Sequence, residues 1–418
     1  MLQYKKVNQC RVCGSKLSSF THLGKMHLCG FFPKNKKSKI PLLPLHMMIC
    51  NNNKCQLVQL SHNYELKKLF GQYYGYRSGL NPSMINHLKK IYILSFNLIK
   101  KKYPNINILD IGSNDGTLLN FFSKKINKYA VDPTIKGFYK FYKKDIKKYP
   151  ELFDTKISNY FIKKKLKFDL IFTIAMFYDL PKPNTFVNNL SKILNKNGYW
   201  IMENSYLHLM LKKNSFDTIC HEHLEYYTIK SLSYLLKKHQ LYINNINYND
   251  INGGSFQLIV SKKKIHSNKI IKAYLNEKKI DRYIINNFNN KINEIKNRVI
   301  KYIAINKNKY NFYLYGASTK GNIILSYFKL NNSTLKLALD VNKEKNNRYT
   351  PGSKIPIVNN INKINLSNSI FFVNIWHFKK FIIKKEKKLL KMGVKFLFPL
   401  PTPHILYFYK NKIIKKYI

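Results

Sequence analysis

The densest run of titratable side chains in the sequence is Phe216-Asp217-Thr218-Ile219-Cys220-His221-Glu222-His223-Leu224-Glu225-Tyr226-Tyr227, in a chain with only 20 acidic residues. Two histidines flanking a glutamate offer an imidazole that takes up a proton near neutral pH and a carboxylate to orient it, the equipment of general base catalysis. The spacing is not HExxH, so a metalloprotease helix is not indicated. A solvated loop or a satisfied buried pair is the competing account of the same residues.

Four of the six cysteines form two close pairs, Cys10-Arg-Val-Cys13 and Cys50-Asn-Asn-Asn-Lys-Cys55. Thiolate pairs presented from tight turns are what tetrahedral zinc requires. The second pair is the looser one, and Cys29, His22, His27 and His46 are each able to replace one ligand; free cysteines in a reducing cytosol are the other reading. Four protein ligands leave no position for water or substrate, so a zinc ion held this way is structural.

A third constellation is Leu109-Asp110-Ile111-Gly112-Ser113-Asn114-Asp115-Gly116-Thr117, a strand running into a glycine turn and a helix start. Bare backbone at such a turn lets N–H groups approach a ligand, and a helix N-terminus favours a negative group such as the methionine carboxylate. The next strand ends in Asp132-Pro133, about 20 residues on, where a carboxylate is placed to meet both ribose hydroxyls. The loop lacks GxGxxG, so an adenosyl group fits better than a dinucleotide.

The elements that must position these groups read as α/β. INILDI, YAVD, FDLIFTIA and YWIME are strand-like, and 117–127 and 183–195 have helical spacing, which together predict a parallel sheet. LYINNINY and SFQLIVSK, joined at Asn252-Gly253-Gly254, are expected to pair antiparallel at its edge. Residues 1–70 carry Pro33, Pro41 and Pro44 and little helical periodicity, and are expected to form a loop-rich, cross-linked module. After a helical connector over 266–310, a second α/β unit opens with FYLYG and the turn Gly316-Ala317-Ser318-Thr319-Lys320-Gly321. It continues through a strand ending at Asp340, SIFFVNIW and KFLFP. Ser318, Thr319 and Lys320 at that helix start are a reasonable seat for a pyrophosphate, or the unit is a lid without a ligand of its own. Asp340 is placed either to meet a ribose or to cap a helix. The expected division is 1–70, 71–265 and 266–418.

With 418 residues and 45% hydrophobic composition, the chain has material for two or three cores. Its net charge of +54 is nearly all lysine and runs through every segment beside abundant Asn, Ile, Tyr and Phe, residues of A/T-rich codons. No basic stripe is interleaved with stacking aromatics, so nucleic acid is not the expected partner, although a phosphate-bearing substrate is still attracted. No apolar leader precedes Cys10 and no stretch of about 18 apolar residues occurs, so a cytoplasmic protein without membrane insertion is expected.

These motifs together resemble the C-methyltransferases that act on nucleoside-diphosphate 4-keto-6-deoxy sugars. The resemblance runs through CRVCG, CQLVQL, Tyr74-Gly-Tyr76-Arg-Ser78-Gly with Met84 and His87, DIGSNDGTLL, DPT, FDTI and HEHLEYYT, GGSFQL, and the YGASTKGN and RYTPGS segments. It implies a zinc-binding N-terminal module on Cys10, Cys13, Cys50 and Cys55, a class I S-adenosylmethionine-dependent methyltransferase domain, and a C-terminal Rossmann-like domain that helps hold the sugar nucleotide. The donor falls to Asp110, Gly112, Ser113, Asn114, Asp115, Gly116, Asp132 and Pro133. His223, with Glu222 beside it, would remove the proton next to the ketone, while Tyr76 and His221 line the pocket. Ser78, Tyr226, Ser318 and Lys320 would contact substrate. Methylation at C3 through an enolate, in deoxysugar and surface polysaccharide biosynthesis, is the implied reaction; transfer to oxygen or nitrogen of a related nucleotide-linked acceptor is the alternative. Cys220 stands where the family usually has a tyrosine before HEH, with Tyr226 a candidate to supply the phenol, and Ala175-Met-Phe-Tyr178 replaces the usual Arg-Asn or His.

Overall fold

The computed structural model describes residues 4–64, 76–100 and 106–418. Tyr74 and Gly75 of the aromatic motif lie outside them, as does the 70/71 boundary. Strands dominate the N-terminal segment, contrary to the loop-rich expectation. β1 (Tyr4–Lys6) pairs antiparallel with β5 (His62–Tyr64), while β2 (Leu17–His27), β3 (Leu42–Cys50) and β4 (Val58–Leu60) form an antiparallel meander. The reason is visible in β3, where Leu43, Leu45, Met47 and Ile49 bury one face at a period of two. Pro33 and Pro41 fall between strands, and Pro44 lies beyond the segment of β3 that pairs with β4.

The middle sheet has seven strands. β6 (Asn107–Ile111), β7 (Asn127–Val131), β8 (Ile146–Tyr149), β9 (Phe168–Ile174) and β10 (Leu194–Ser205) run parallel, and β12 (Tyr242–Asn249) and β13 (Ser255–Ser261) close the sheet antiparallel, in the order β12-β13-β10-β9-β6-β7-β8. Asn252, Gly253 and Gly254 all take positive φ at the turn that joins the last two. The order reverses between β6 and β9, which opens a crevice at their carboxyl ends. Helices α1 (Pro82–Ile99), α2 (Thr155–Lys163), α3 (Pro183–Ile193) and α4 (Ile229–Lys237) accompany the strands. The helix expected over 117–127 is absent. Phe121 and Phe122 bond back three residues to Leu118 and Leu119, giving one 3-10 turn at Leu119–Phe121, and Phe122 is already extended toward β7. The glycine turn therefore does not end in an α-helix N-terminus.

β11 (Glu225–Tyr226), from the middle of the chain, pairs with β4, so the N-terminal sheet reads β11-β4-β3-β2 and incorporates the peptide that follows His223. The 266–310 segment forms α5 (Asn268–Asn276) and α6 (Arg282–Asn306). Glu277, just past α5, accepts the N–H groups of Ile229 and Lys230 at the start of α4, and α6 buries Phe288, Ile292, Ile295, Val299 and Ile303 against the last core. That core surrounds a sheet ordered β16-β15-β14-β17-β18-β19-β20. Its strands are β14 (Asn311–Tyr315), β15 (Ala338–Leu339), β16 (Ile357–Val358), β17 (Ser369–Val373), β18 (Lys395–Phe398), β19 (His404–Tyr409) and β20 (Lys412–Tyr417), with α7 (Thr319–Phe328) after β14. The first five strands run parallel, and the final hairpin is antiparallel. Among the described residues, no helix is long and apolar enough to cross a membrane.

Candidate active site

The four thiols of Cys10, Cys13, Cys50 and Cys55 lie within 4.8 Å of one another, with Cys10 to Cys55 at 3.8 Å and Cys13 to Cys50 at 3.3 Å. Four thiolates at about 2.3 Å from one ion stand roughly 3.8 Å apart, so the donor set fits tetrahedral zinc and leaves no open position. Cys29 belongs elsewhere, beside His221. His22 and His46 pack ring against ring, and His27 bonds the Ile40 carbonyl.

At the crevice, Gly112, Asn114 and Gly116 have φ of +77°, +53° and +74°, and the loop folds back on the end of β7. Asp132 accepts the Asn114 N–H at 2.8 Å on one oxygen, and the Thr134 N–H at 2.7 Å on the other. The Thr134 hydroxyl also donates to that second oxygen, at 2.6 Å, so the remaining acceptor capacity lies on the oxygen that faces Asn114. A side chain at Gly112 would meet Met176 at 2.7 Å, which keeps the floor of the crevice bare backbone. Burial and the neighbouring Asp132 charge push Asp110 up to about 8. These features suit an adenosyl donor. Ser113 is bonded to the Tyr142 hydroxyl at 2.7 Å. Asp115 accepts the Gly79 N–H at 2.9 Å and faces Arg77 at 3.7 Å, while Asn114 accepts the Ser78 N–H at 2.9 Å and donates to the Tyr76 carbonyl. Segment 76–79 is thereby laid across the loop, and Pro133 carries the turn between Asp132 and Thr134.

The HEH segment occupies the wall between the N-terminal sheet, the crevice and the C-terminal sheet. His223 donates from Nδ1 to the Thr218 carbonyl at 2.8 Å. A carbonyl only accepts, so the neutral ring keeps its lone pair on Nε2. The Tyr178 ring packs 4.3 Å away, and the Tyr226 hydroxyl reaches the same Thr218 carbonyl at 3.4 Å. Glu222 is buried, and burial raises its carboxyl to about 7 against the opposing pull of His221 and Lys320. His221 is fully enclosed instead: Nδ1 lies 3.8 Å from Cys29 Sγ, Nε2 3.4 Å from the Leu43 carbonyl, and the Tyr64 ring meets it edge-on. Burial lowers its pKa to about 4. Cys220 is a buried thiol beside the Cys29 thiol and the His223 ring, raised well above its usual range by burial.

The C-terminal domain enters this wall through α7. Ser318 caps the helix, its Oγ accepting the Gly321 N–H at 2.9 Å, while Lys320 bonds the Asn252 carbonyl at 2.8 Å and faces Asp217, Cys220 and Glu222. Asp340 accepts the Ala317 and Asn342 N–H groups, so it organises the glycine turn of its own domain. Asp217 takes the Trp376 indole N–H at 2.9 Å. Trp376 was not singled out in the sequence, and Asn252 and Thr218 stood there only as a turn residue and as a member of the titratable run. The available signal was weak: Trp376 is one of only two tryptophans.

Comparison with known proteins identifies the domains that carry these residues. Three family models match in chain order: a zinc binding domain over residues 10–70, a methyltransferase domain over 87–245, and a C-methyltransferase C-terminal domain over 250–401. C-methyltransferase NovU of Streptomyces niveus is 25% identical over 416 residues, covering 96% of this chain and 97% of that one. Among solved structures, magnesium protoporphyrin IX methyltransferase from Synechocystis PCC 6803 with bound SAM aligns at 9% identity and a TM-score of 0.33, covering 47% of this chain and 89% of that one. The plantazolicin methyltransferase BamL with SAH aligns at 16% and 0.34, covering 44% and 88%. By these matches the chain is an S-adenosylmethionine-dependent C-methyltransferase that carries, in order, a zinc-binding module, a class I methyltransferase domain and a C-methyltransferase C-terminal domain.

Proposed function

We propose that this C-methyltransferase alkylates a nucleoside-diphosphate-linked 4-keto-6-deoxy sugar, at C3 and through an enolate, in the cytoplasmic synthesis of a deoxysugar for a surface polysaccharide. S-adenosylmethionine supplies the electrophilic methyl group. His223 is the base: Nε2 takes the proton from the carbon next to the ketone, and the imidazolium that forms keeps its Nδ1–H on the Thr218 carbonyl. Glu222, with a carboxyl near neutrality, balances that charge. Lys320 and Tyr76 bind the oxygen on which negative charge collects, a role that such donors fill best in a site closed to water. Tyr226 stands in for the phenol that Cys220 cannot supply, Ser78 orients the sugar, and Ser318 with Lys320 brings the C-terminal domain to the phosphates. Asp132 holds the donor ribose and the Asp110–Gly116 loop its remaining polar groups. His221 does not face the pocket; it holds the segment against β3 from behind. The division at 1–70, 71–265 and 266–418 is part of this reading, and the six unbridged cysteines are consistent with a reducing compartment.

The observation that carries the reading is the bond from His223 Nδ1 to the Thr218 carbonyl, which leaves the other nitrogen as an acceptor. The likeness to C-methyltransferase NovU supports carbon as the methyl acceptor. The test is proton exchange. Incubated in heavy water with a nucleoside-diphosphate 4-keto-6-deoxyhexose and no methyl donor, the protein should exchange the C3 proton, and added donor should yield a product heavier by one methyl group. Methyl transfer without any exchange would favour an oxygen or nitrogen acceptor.

A further inference from the structure

Arg11 lies between two thiols of the zinc knuckle, yet its side chain runs away from them. The guanidinium is buried, and its donors face two segments far apart in sequence, 60–63 and 224–225. Nη1 donates to the Leu60 carbonyl at 2.7 Å and approaches the Leu224 carbonyl at 3.4 Å. Nη2 donates to the His62 carbonyl at 3.1 Å and to Asn63 Oδ1 at 2.6 Å, Nε donates to the same Asn63 oxygen at 3.2 Å, and the enclosed Glu225 faces Nε as an ion pair at 3.4 Å without a hydrogen bond. The backbone N–H of Arg11 is held by Gln59 Oε1 at 2.8 Å, and the Gln59 amide returns to the Gln9 carbonyl at 3.1 Å.

Leu224 and Glu225 directly follow His223. The Leu224 N–H is bonded to the Tyr178 carbonyl at 2.8 Å, and its carbonyl accepts the Leu60 N–H at 2.8 Å in addition to the approach of Arg11. Tyr178, in turn, is the residue whose ring packs on the His223 imidazole. One side chain thus ties the cysteine knuckle to the peptide that carries His223, and that peptide is bonded in turn to Tyr178, whose ring packs on the imidazole. Lysine, with a point charge and no planar fork, reaches at most part of this set. Arginine is rare here, at five residues, and one of the five is at this position.

We infer that Arg11 is a positioning residue for methyl transfer: it couples the geometry of the zinc knuckle to the orientation of the imidazole at 223. The inference rests on the reading of His223 as the base. Its test uses full-length, zinc-loaded protein carrying 15N-labelled histidine, with the His223 ring signals identified by their loss in His223→Gln. Two variants are compared with the parent: Arg11→Lys, and Arg11→Met combined with Glu225→Leu, which removes both charges together and leaves neither one buried alone. The expected result is that both variants keep one zinc per chain and an unchanged affinity for S-adenosylmethionine, while the Nδ1-protonated signature of His223 gives way to a mixture of tautomers. With a nucleoside-diphosphate 4-keto-6-deoxyhexose, kcat should fall about 100-fold with little change in KM, as expected for a misplaced base. Stripping zinc with a chelator should shift the His223 signals in the parent and not in the paired variant. Parental His223 signals in both variants would overturn the coupling. Parental turnover in His223→Gln would instead overturn the base assignment, and the ring signals would still decide the coupling separately.

Discussion

His221 stands two residues from His223 in the chain but is enclosed on the N-terminal side of the segment, and that burial has a consequence on acidification. His221 is fully buried, and its imidazole is depressed from 6.5 to about 4. In the unfolded chain the ring takes up a proton as pH falls through its ordinary value; in the folded protein it does not until about pH 4. Stability is therefore complete above pH 6.5 and is lost progressively between 6.5 and 4, because the unfolded state binds the extra proton. Linkage over that window puts the loss attributable to this one ring at about 2 kcal/mol between pH 7 and pH 5. The perturbation is His221→Phe, which keeps a ring against Tyr64 and removes the titration. Urea unfolding of zinc-loaded parent and variant, each at pH 7 and pH 5, should show a pH dependence flatter in the variant by that amount. An NMR titration of the folded parent should show the His221 signals unmoved down to pH 5. Equal losses of stability in parent and variant, or a His221 signal that titrates near 6.5, would refute the placement of this ring in the core.

Further outcomes follow from the same geometry. His223→Ala should abolish methyl transfer while leaving donor affinity nearly unchanged in calorimetry, a loss of about 100-fold or more for a general base. Asp132→Ala should weaken the donor first, seen as a raised Kd for S-adenosylmethionine. Lys320→Met should lower kcat by about 100-fold with donor binding intact, since removing one donor at a developing oxyanion costs on that scale. Cys13→Ser should reduce zinc content and folded yield together, measured by elemental analysis and soluble recovery; a zinc-free variant with parental turnover would rule out the structural role of the ion.

The sequence by itself determined what depends on neighbours along the chain. The strand periodicities, the glycine turn after β6 and the Asn252-Gly253-Gly254 hairpin are local patterns, and so were the thiol pairs, because a tight turn sets the spacing of two ligands. Local signals misled where nearby contacts were replaced by distant ones. The 117–127 segment has helical spacing, but Phe121 and Phe122 bond back three residues and the chain extends at Phe122 toward β7, and the proline-bearing N-terminus forms a sheet whose edge β11 covers. Only the tertiary structure separated His221 from His223: one ring meets Cys29 and Leu43 from the N-terminal sheet, the other meets a carbonyl five residues upstream. It alone brought Lys320 and Trp376 across from the last domain, and it alone carried Arg11 to Glu225, 214 positions later. Burial and the pairing of buried charges depend on which surfaces close over a group, and these surfaces come from all three parts of the chain.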